Sequence, residues 1–122
     1  MTKCILVADD DRKVAQLMRN WLEISGYKAE EVYSGADALR RLSQDSFSLV
    51  LIDYDMRDIQ GDRICAMLRL EDRYKELPLV IVTAHVERDE RVFKQYGADA
   101  VLYKPLEVDH FMRTVRELAG DP

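Results

Sequence analysis

The sequence predicts an α/β protein whose parallel sheet is covered by helices on both faces. Short apolar runs alternate with segments of helical periodicity five times along the 122 residues. This alternation is typical of parallel sheets, in which right-handed crossovers connect successive strands. No linker, repeat or low-complexity segment interrupts the pattern, so we expect residues 1–122 to form one domain.

Five short apolar runs predict the strands, which cover residues 4–8, 28–33, 47–52, 79–82 and 100–103. The second run alternates only weakly and is expected to be more exposed than the others. Each run ends close to a polar residue.

Apolar residues at helical spacing predict a helix after each strand. The five sets are Val14, Leu17, Met18, Trp21 and Leu22; Ala38, Leu39 and Leu42; Ile64, Met67 and Leu68; Val92, Phe93 and Tyr96; and Val108, Phe111, Met112, Val115 and Leu118. Gly26 is a natural end for the first helix, and Ser34 a natural cap for the second. The fourth helix is predicted over residues 87–96, with Gly97 closing it.

Composition excludes several classes of protein. The net charge of −5 does not favour sequence-independent binding to the phosphates of nucleic acid, so we expect no direct nucleic-acid binding. No stretch approaches the roughly 18 apolar residues of a membrane span. Residues 1–4 lead straight into a strand and do not resemble a signal peptide. Cys4 and Cys65 are expected to be reduced, packed thiols of a cytoplasmic protein.

Three distant segments carry charged residues directly after predicted strands. Asp9, Asp10 and Asp11 follow the first strand, Asp53 ends the third, and Lys104 follows the fifth. Because parallel strands present their carboxyl ends along one edge, folding should gather these groups there. Carboxylates held so close repel one another and favour a cation. The sequence therefore predicts magnesium-dependent phosphate chemistry.

The order of these residues resembles the receiver domain of response regulators in two-component signalling, of the kind found in chemotaxis regulators. The resemblance covers nearly the whole chain and rests on Asp9, Asp10, Asp53, Gly61, Thr83-Ala84 and Lys104-Pro105. It implies a flavodoxin-like, doubly wound (βα)5 fold with strand order 2-1-3-4-5, whose ligand crevice lies between Asp10 and Asp53.

The resemblance also implies the roles of the acidic residues. Asp53 would accept a phosphoryl group from the histidine of a sensor kinase or phosphotransfer protein, forming an acyl phosphate. Asp10, Asp53 and the backbone carbonyl of Asp55 would bind Mg²⁺, with Asp9 helping through water.

Three further residues would bind the phosphoryl oxygens. Lys104 would pair with them as a point charge, Thr83 would donate its hydroxyl, and Ala84 its backbone N–H. The isomer of the Lys104-Pro105 peptide, which is usually cis in the family, cannot be read from sequence.

Taken singly, each of these residues has an ordinary structural interpretation. Asp10 or Asp11 could cap the first helix, Lys104 could be a solvated surface residue, and Thr83 could fill a strand end. Their joint placement at strand ends favours the functional interpretation.

Several positions depart from the commoner receiver pattern. Arg57 stands where a proline is usual, and its guanidinium could reach an acidic neighbour. Gln60 replaces a frequent acid before Gly61. By resemblance, the positions of Asp55 and His85 tune the access of water to the acyl phosphate, and we hypothesise that these two residues set its lifetime.

The signalling residues depart from the pattern as well. Val101 occupies the position where receivers often carry an aromatic residue, and the nearest aromatic is Tyr103. Alternation places both side chains on one face of the sheet. Tyr103 either packs toward the last helix in place of the missing aromatic or is a half-buried edge residue.

The resemblance implies a phosphorylation-activated switch and not a turnover enzyme. The surface of the fourth helix, fifth strand and last helix would bind a downstream protein or a fused output domain. The sequence contains no DNA-binding segment, so the chain is either a stand-alone receiver or a piece of a longer protein.

Two alternatives remain open, and a third is disfavoured. Asp53-Tyr54-Asp55 matches the D-x-D of haloacid-dehalogenase-type phosphatases, although their acid pair lies downstream. The chain could also be a degenerate receiver that acts only as an interaction domain. A flavodoxin is less favoured because no phosphate loop follows the first strand.

Overall fold

The computed structural model describes residues 2–122, which form a parallel sheet of five strands in the order 2-1-3-4-5. The strands are β1 (Cys4–Ala8), β2 (Lys28–Val32), β3 (Leu49–Asp53), β4 (Leu79–Thr83) and β5 (Ala100–Tyr103). Both the fold class and the strand order confirm the prediction. The order places β1 and β3 side by side, with Ala8 opposite Ile52.

Five α-helices follow the strands in turn. They are α1 (Arg12–Ile24), α2 (Gly35–Gln44), α3 (Gly61–Arg69), α4 (Glu90–Gln95) and α5 (Val108–Ala119), and a short 3-10 helix (Asp72–Tyr74) precedes β4. Ser34 caps α2 as predicted, since its hydroxyl accepts a hydrogen bond from the Asp37 backbone N–H at 3.1 Å. Among residues 2–122, no helix has the length and hydrophobicity needed to cross a bilayer.

The helices cover the two faces of the sheet with separate apolar layers. Helices α1 and α5 pack on one face, where Met18 and Phe111 are buried against residues such as Val7 and Val82. Helices α2, α3 and α4 cover the other face. All five residues of both β3 and β4 are buried, which explains why these strands are apolar up to their last residues, Asp53 and Thr83.

The third strand and the fourth helix show the clearest differences in boundaries from the sequence prediction. The third strand begins at Leu49, two residues later than expected, and includes Asp53. Helix α4 is shorter than the predicted 87–96 because the Asp89 carboxylate caps it by accepting a hydrogen bond from the Arg91 N–H. The preceding segment forms turns, in which Arg88 donates its backbone N–H to His85. The charged residues before Asp89 are compatible with a helix, so the sequence prediction placed the start of α4 too early.

The buried face of α3 also differs from the expected set. Met67 is 45% exposed, whereas Cys65 is fully buried and takes its place against the sheet. Burial raises the pKa of the Cys65 thiol to about 12, so this cysteine is an inert core residue. Cys4 and Cys65 are both free thiols, as predicted.

Candidate functional site

The carboxyl ends of β1, β3 and β5 bring the predicted charged residues together. Asp9 directly follows β1, Asp53 is the last residue of β3, and Lys104 directly follows β5. The Lys104 ammonium lies 3.1 Å from Oδ1 of Asp53 and 3.3 Å from Oδ2 of Asp9. Residues separated by 51 and 95 positions in sequence therefore share one ion-paired cluster.

Three carboxylates in this cluster could hold a metal ion. Asp9, Asp10 and Asp53 each place one oxygen within 4.8 Å of the others. Asp9 and Asp53 are buried and Asp10 is half-buried, so the group opens to solvent on the side of Asp10. Carboxylate oxygens are hard ligands that suit Mg²⁺, which keeps several waters and binds few protein groups.

Burial sets the electrostatics of the cluster. It raises the pKa of Asp9 to about 6, with the nearby Asp53 charge acting in the same direction. Burial also raises the pKa of Asp53, although Lys104 partly opposes this. For Lys104, burial alone would lower the pKa, but the charges of Asp53 and Asp9 outweigh it and raise the pKa. The single ammonium of Lys104 does not fully offset the effect of burial on the pKa values of Asp9 and Asp53. A divalent cation bound beside them would lower these pKa values.

The remaining acids near the site have other roles. Asp11 caps α1, as its carboxylate accepts a hydrogen bond from the Lys13 N–H at 3.0 Å, which agrees with its ordinary structural interpretation. The Asp55 carboxylate lies outside the metal-binding group and contacts His85 instead. The expected contribution of Asp55 to metal binding is its backbone carbonyl, and that role stays a prediction.

Thr83 ends β4 next to Asp53. The side chain of Thr83 is fully buried, and its hydroxyl accepts a hydrogen bond from the His85 N–H at 3.0 Å. Asp53 pairs in register with Val82, so Thr83 extends one residue beyond it at the same edge of the sheet. The following Ala84 is exposed, and its small side chain leaves the edge accessible. The Lys104-Pro105 peptide is cis.

The loop after β3 contacts the acidic cluster through Arg57. Its guanidinium Nε lies 3.7 Å from Oδ2 of Asp10, although 94% of the Arg57 side chain is exposed. The guanidinium therefore reaches an acidic neighbour, as the sequence suggested. Gln60 is the N-cap residue of α3 but makes no capping hydrogen bond through its side chain.

Gly61 closes the same loop against the site. Its N–H donates to the Tyr54 carbonyl at 2.9 Å. A Cβ atom at position 61 would lie 2.6 Å from the Asp53 carbonyl oxygen, closer than real Cβ contacts allow. The glycine is therefore required by close backbone approach to the residue that ends β3.

Sequence reasoning missed Asp58, which anchors the middle of this loop. Its carboxylate accepts hydrogen bonds from the backbone N–H groups of Gly35, Ala36 and Ile59, each at 2.9 Å. These bonds, that of Ala36 first, hold the pKa of Asp58 below its usual value. An aspartate in a loop is common, and no local pattern links position 58 to a helix that begins 23 residues earlier.

Tyr103 does not pack toward the last helix, so the first of its two interpretations from the sequence is wrong. Val101 and Tyr103 share one face as predicted, but it is the face covered by α2, α3 and α4. The Tyr103 hydroxyl donates to the Arg88 carbonyl oxygen at 3.0 Å, before α4. The side chain is half-buried, which matches the alternative interpretation.

A concave pocket of about 510 Å³ lies far from these residues. It is lined by residues from the end of α2, the turn before β3 and the segment before β4, including Phe47 and Tyr74. These segments meet at the amino ends of β3 and β4, opposite the acidic cluster. The candidate site is therefore defined by its charges and not by the depth of its cavity.

The sheet order and the cluster of carboxylates at its edge agree with the comparison with known families. Residues 5–116 match the response regulator receiver domain family, and the chain belongs to this family. Such domains are signalling modules of two-component systems, are typically phosphorylated on an aspartate, and bind Mg²⁺ at an acidic pocket.

Similar proteins are known among both curated sequences and solved structures. The chain is 29% identical to the polar-differentiation response regulator DivK of Brucella ovis, over 99% of each chain. A Francisella response regulator receiver domain has a TM-score of 0.88 at 27% identity, covering 97% of each chain. The receiver domain of a Pseudomonas aeruginosa sensor histidine kinase has a TM-score of 0.89 at 20% identity over 99% and 100%, and its structure holds magnesium in the active-site cleft. This last likeness shows the fold alone.

Proposed function

We propose that this protein is a phosphorylation-activated switch that accepts a phosphoryl group on Asp53 in a Mg²⁺-dependent reaction. The observation that carries the proposal is the contact of Lys104 with both Asp53 and Asp9, inside a group of three clustered carboxylates. The phosphoryl donor is a sensor histidine kinase or a phosphotransfer protein, and the compartment is the cytoplasm, where free thiols such as Cys4 and Cys65 persist.

Each residue of the site has a defined part in this proposal. The Asp53 carboxylate attacks phosphorus, the bond from phosphorus to the donor nitrogen breaks, and an acyl phosphate forms. Asp10, Asp53 and the Asp55 carbonyl would hold Mg²⁺, with Asp9 acting through water. The ion would supply positive charge to the phosphoryl oxygens.

The phosphoryl oxygens would be bound by three groups of this chain. Lys104 gives up its contact with Asp53 and pairs with the phosphoryl group, where a charge-assisted hydrogen bond is strong. The Thr83 hydroxyl and the Ala84 N–H donate from the end of β4. Phosphoryl transfer depends mainly on such positioning and charge stabilisation.

The test is phosphorylation by a small donor. The purified protein is incubated with Mg²⁺ and acetyl phosphate, and its mass is measured under conditions that preserve an acyl phosphate. We expect one labile phosphoryl adduct in the wild type, none in Asp53→Asn, and none when EDTA replaces Mg²⁺. Asp37→Asn, which changes a half-exposed acid on α2 that pairs with Arg40, is the matched control and retains the adduct. An adduct that persists in Asp53→Asn contradicts the assignment.

The output surface in this proposal consists of α4, β5 and α5. Exposed apolar side chains on this surface include Val92 in α4, Tyr96 directly after it and Val108 in α5. A ligand shifts such a switch only through its preference for one of two states. Tyr103 joins β5 to the segment before α4 through Arg88, so it is a candidate reporter of the change. Structures determined with and without a phosphoryl mimic test this role. If Tyr103 has the same rotamer in both, it is not part of the switch.

The haloacid-dehalogenase alternative is less well supported. In phosphatases of that type the second aspartate of D-x-D acts as a general acid. Here the corresponding carboxylate, that of Asp55, is hydrogen-bonded to His85. We propose that the protein does not turn over phosphomonoesters. Sustained phosphate release from p-nitrophenyl phosphate that depends on Asp55 would favour the phosphatase instead.

A further inference from the structure

The loop between β3 and α3 is held at both ends by backbone hydrogen bonds. At its start, the Tyr54 N–H donates to the Val82 carbonyl at 2.9 Å, and at its end Gly61 donates back to Tyr54. Between these points, Met56 is buried but Arg57 is almost fully exposed. The course of the middle of the loop therefore depends on few contacts.

Asp58 provides the polar anchor of this middle segment. One carboxylate oxygen accepts from the Gly35 N–H, and the other accepts from the Ala36 N–H. Gly35 and Ala36 are the first two residues of α2, whose N-terminal N–H groups have no partner within the helix. A carboxylate at a helix N-terminus also interacts favourably with the helix dipole. Asp58 thus ties the loop to α2 from outside that helix.

Packing around the same contact is tight. A Cβ atom at position 35 would lie 3.0 Å from both Ile59 and Ile64. The loop therefore lies directly against the start of α2, and the absence of a side chain at Gly35 lets the Asp58 carboxylate reach the backbone.

This anchor bears on metal binding through Asp55. A backbone carbonyl ligand cannot be re-aimed by rotating a side chain, so its direction depends on where the loop is fixed on either side. Tyr54 fixes the loop one residue before Asp55, and Asp58 fixes it three residues after. Arg57 occupies the position where a rigid proline is usual. The contact of Asp58 with α2 must therefore restrict the backbone conformation of the loop in place of the proline.

We propose that Asp58 is a positioning residue that holds the Asp55 carbonyl in the direction needed to bind Mg²⁺. The proposal rests on the proposed function, specifically on its magnesium ligands. A supporting group of this kind acts on a ligand without touching the ion, as the outer partners of metal ligands do in other sites.

The experiment compares two changes at the same helix terminus. Asp58→Ala removes the contact between the loop and α2. Ser34→Ala removes the cap that α2 receives from its own N-cap residue and leaves the loop contact intact. Asp58→Asn keeps the shape and one acceptor oxygen but removes the charge, so it tests the same contact if Asp58→Ala folds poorly.

Two readouts are measured in unphosphorylated protein. The first is the Mg²⁺ dissociation constant, obtained by titration followed by NMR. The second is hydrogen exchange of the Gly35 and Ala36 amides without metal, which reports whether the contact has been lost. Neither depends on phosphoryl transfer.

We expect Asp58→Ala to weaken Mg²⁺ binding by about tenfold, and Asp58→Asn by less. Ser34→Ala should stay close to the wild-type value, because it leaves the contact of Asp58 with the Gly35 and Ala36 N–H groups in place. Equal dissociation constants in wild type, Asp58→Ala and Ser34→Ala overturn the positioning role and leave the proposed function intact. A wild-type protein that binds no Mg²⁺ at millimolar concentration overturns both.

Discussion

The imidazole of His85 lies with Nε2 3.0 Å from Oδ2 of Asp55 and thereby joins the loop after β4 to the loop after β3. Its other nitrogen lies 2.9 Å from the Glu87 carboxylate. The ring also packs edge-on against Tyr54, which follows Asp53 directly. Hydrogen bonds to Glu87 and Asp55 raise the pKa of His85. These contacts hold the ring beside the proposed phosphorylation site.

We predict that His85→Ala shortens the lifetime of the acyl phosphate. The ring contacts Asp55 and Tyr54, which follow Asp53 directly, so we expect it to limit the access of water to the acyl phosphate. A barrier lowered by about 1 kcal/mol in its absence corresponds to about fivefold faster hydrolysis. Asp55→Asn should have a smaller effect because its amide can still bond to His85. The rate is measured by following loss of the phosphoryl adduct after the donor is removed. Rates within experimental error of wild type in both variants would show that this pair does not set the lifetime.

Gly61→Ala adds a single methyl group, but we expect it to disturb the backbone around Asp53. The added methyl group would meet the Asp53 carbonyl oxygen at 2.6 Å, so the backbone around the acceptor must move. We expect a loss of about 1–3 kcal/mol in the free energy of unfolding and slower phosphorylation by acetyl phosphate. Urea denaturation and the rate of adduct formation measure the two effects.

The control for this prediction is Gln60→Ala. Gln60 is exposed and makes no capping hydrogen bond through its side chain, so its removal should leave stability and phosphorylation nearly unchanged. A Gly61→Ala protein as stable and as readily phosphorylated as Gln60→Ala would mean that the loop absorbs the extra atom.

Arg69, at the end of α3, connects three segments at the far side of the protein. Its guanidinium donates to the carbonyl oxygens of Tyr74, Leu77 and Gly97 and to the carboxylate of Asp99. The Asp99 carboxylate also accepts from the backbone N–H that begins β4. Because all of these contacts with the guanidinium are lost together, we expect Arg69→Ala to destabilise the protein by about 2–4 kcal/mol.

Arg69→Lys should recover only part of this loss, since an ammonium cannot reproduce the fork of donors. The comparison is Arg73→Ala, which removes a nearby arginine that stacks on Tyr74 and pairs with Glu71 at the surface. That change should cost less than about 1 kcal/mol. Thermal or urea unfolding measures all three variants, and equal losses for Arg69→Ala and Arg73→Ala would contradict the role of Arg69.

Sequence alone was enough to predict the sheet and the acidic cluster. The strands β3 and β4 are apolar up to their last residues because both faces are buried, and this signal is local. The meeting of Asp9, Asp53 and Lys104 followed from strand ends sharing one edge of a parallel sheet.

Other features depend on contacts that no local pattern encodes. The start of α4 was predicted too early because Glu87 and Arg88 are compatible with a helix, and the Asp89 cap decides the boundary. The direction of Tyr103 depends on which helices cover each face of the sheet. The contact between Asp58 and α2 joins a loop to a helix earlier in the chain, and only the folded arrangement reveals it.

The same Asp58 contact predicts a pH dependence of stability. Hydrogen bonds from backbone N–H groups, that of Ala36 first, hold the folded-state pKa of Asp58 below its ordinary value of 3.8. The carboxylate therefore stabilises the fold above that value, and this contribution disappears as the pH falls through the folded-state pKa. The difference in free energy of unfolding between wild type and Asp58→Ala should be full near neutral pH and should shrink in acid.

Urea unfolding of metal-free protein at a series of pH values between about 7 and about 2 measures this difference, since both proteins share every other titrating carboxyl group. Ser34→Ala is again the control, because its hydroxyl does not titrate and its cost should not change with pH. A difference for Asp58→Ala that stays constant into acid would mean that the hydrogen bonds, and not the charge, supply its stabilisation. The contact would then act as a neutral cap, and Asp58→Asn should come closer to wild type than Asp58→Ala at every pH.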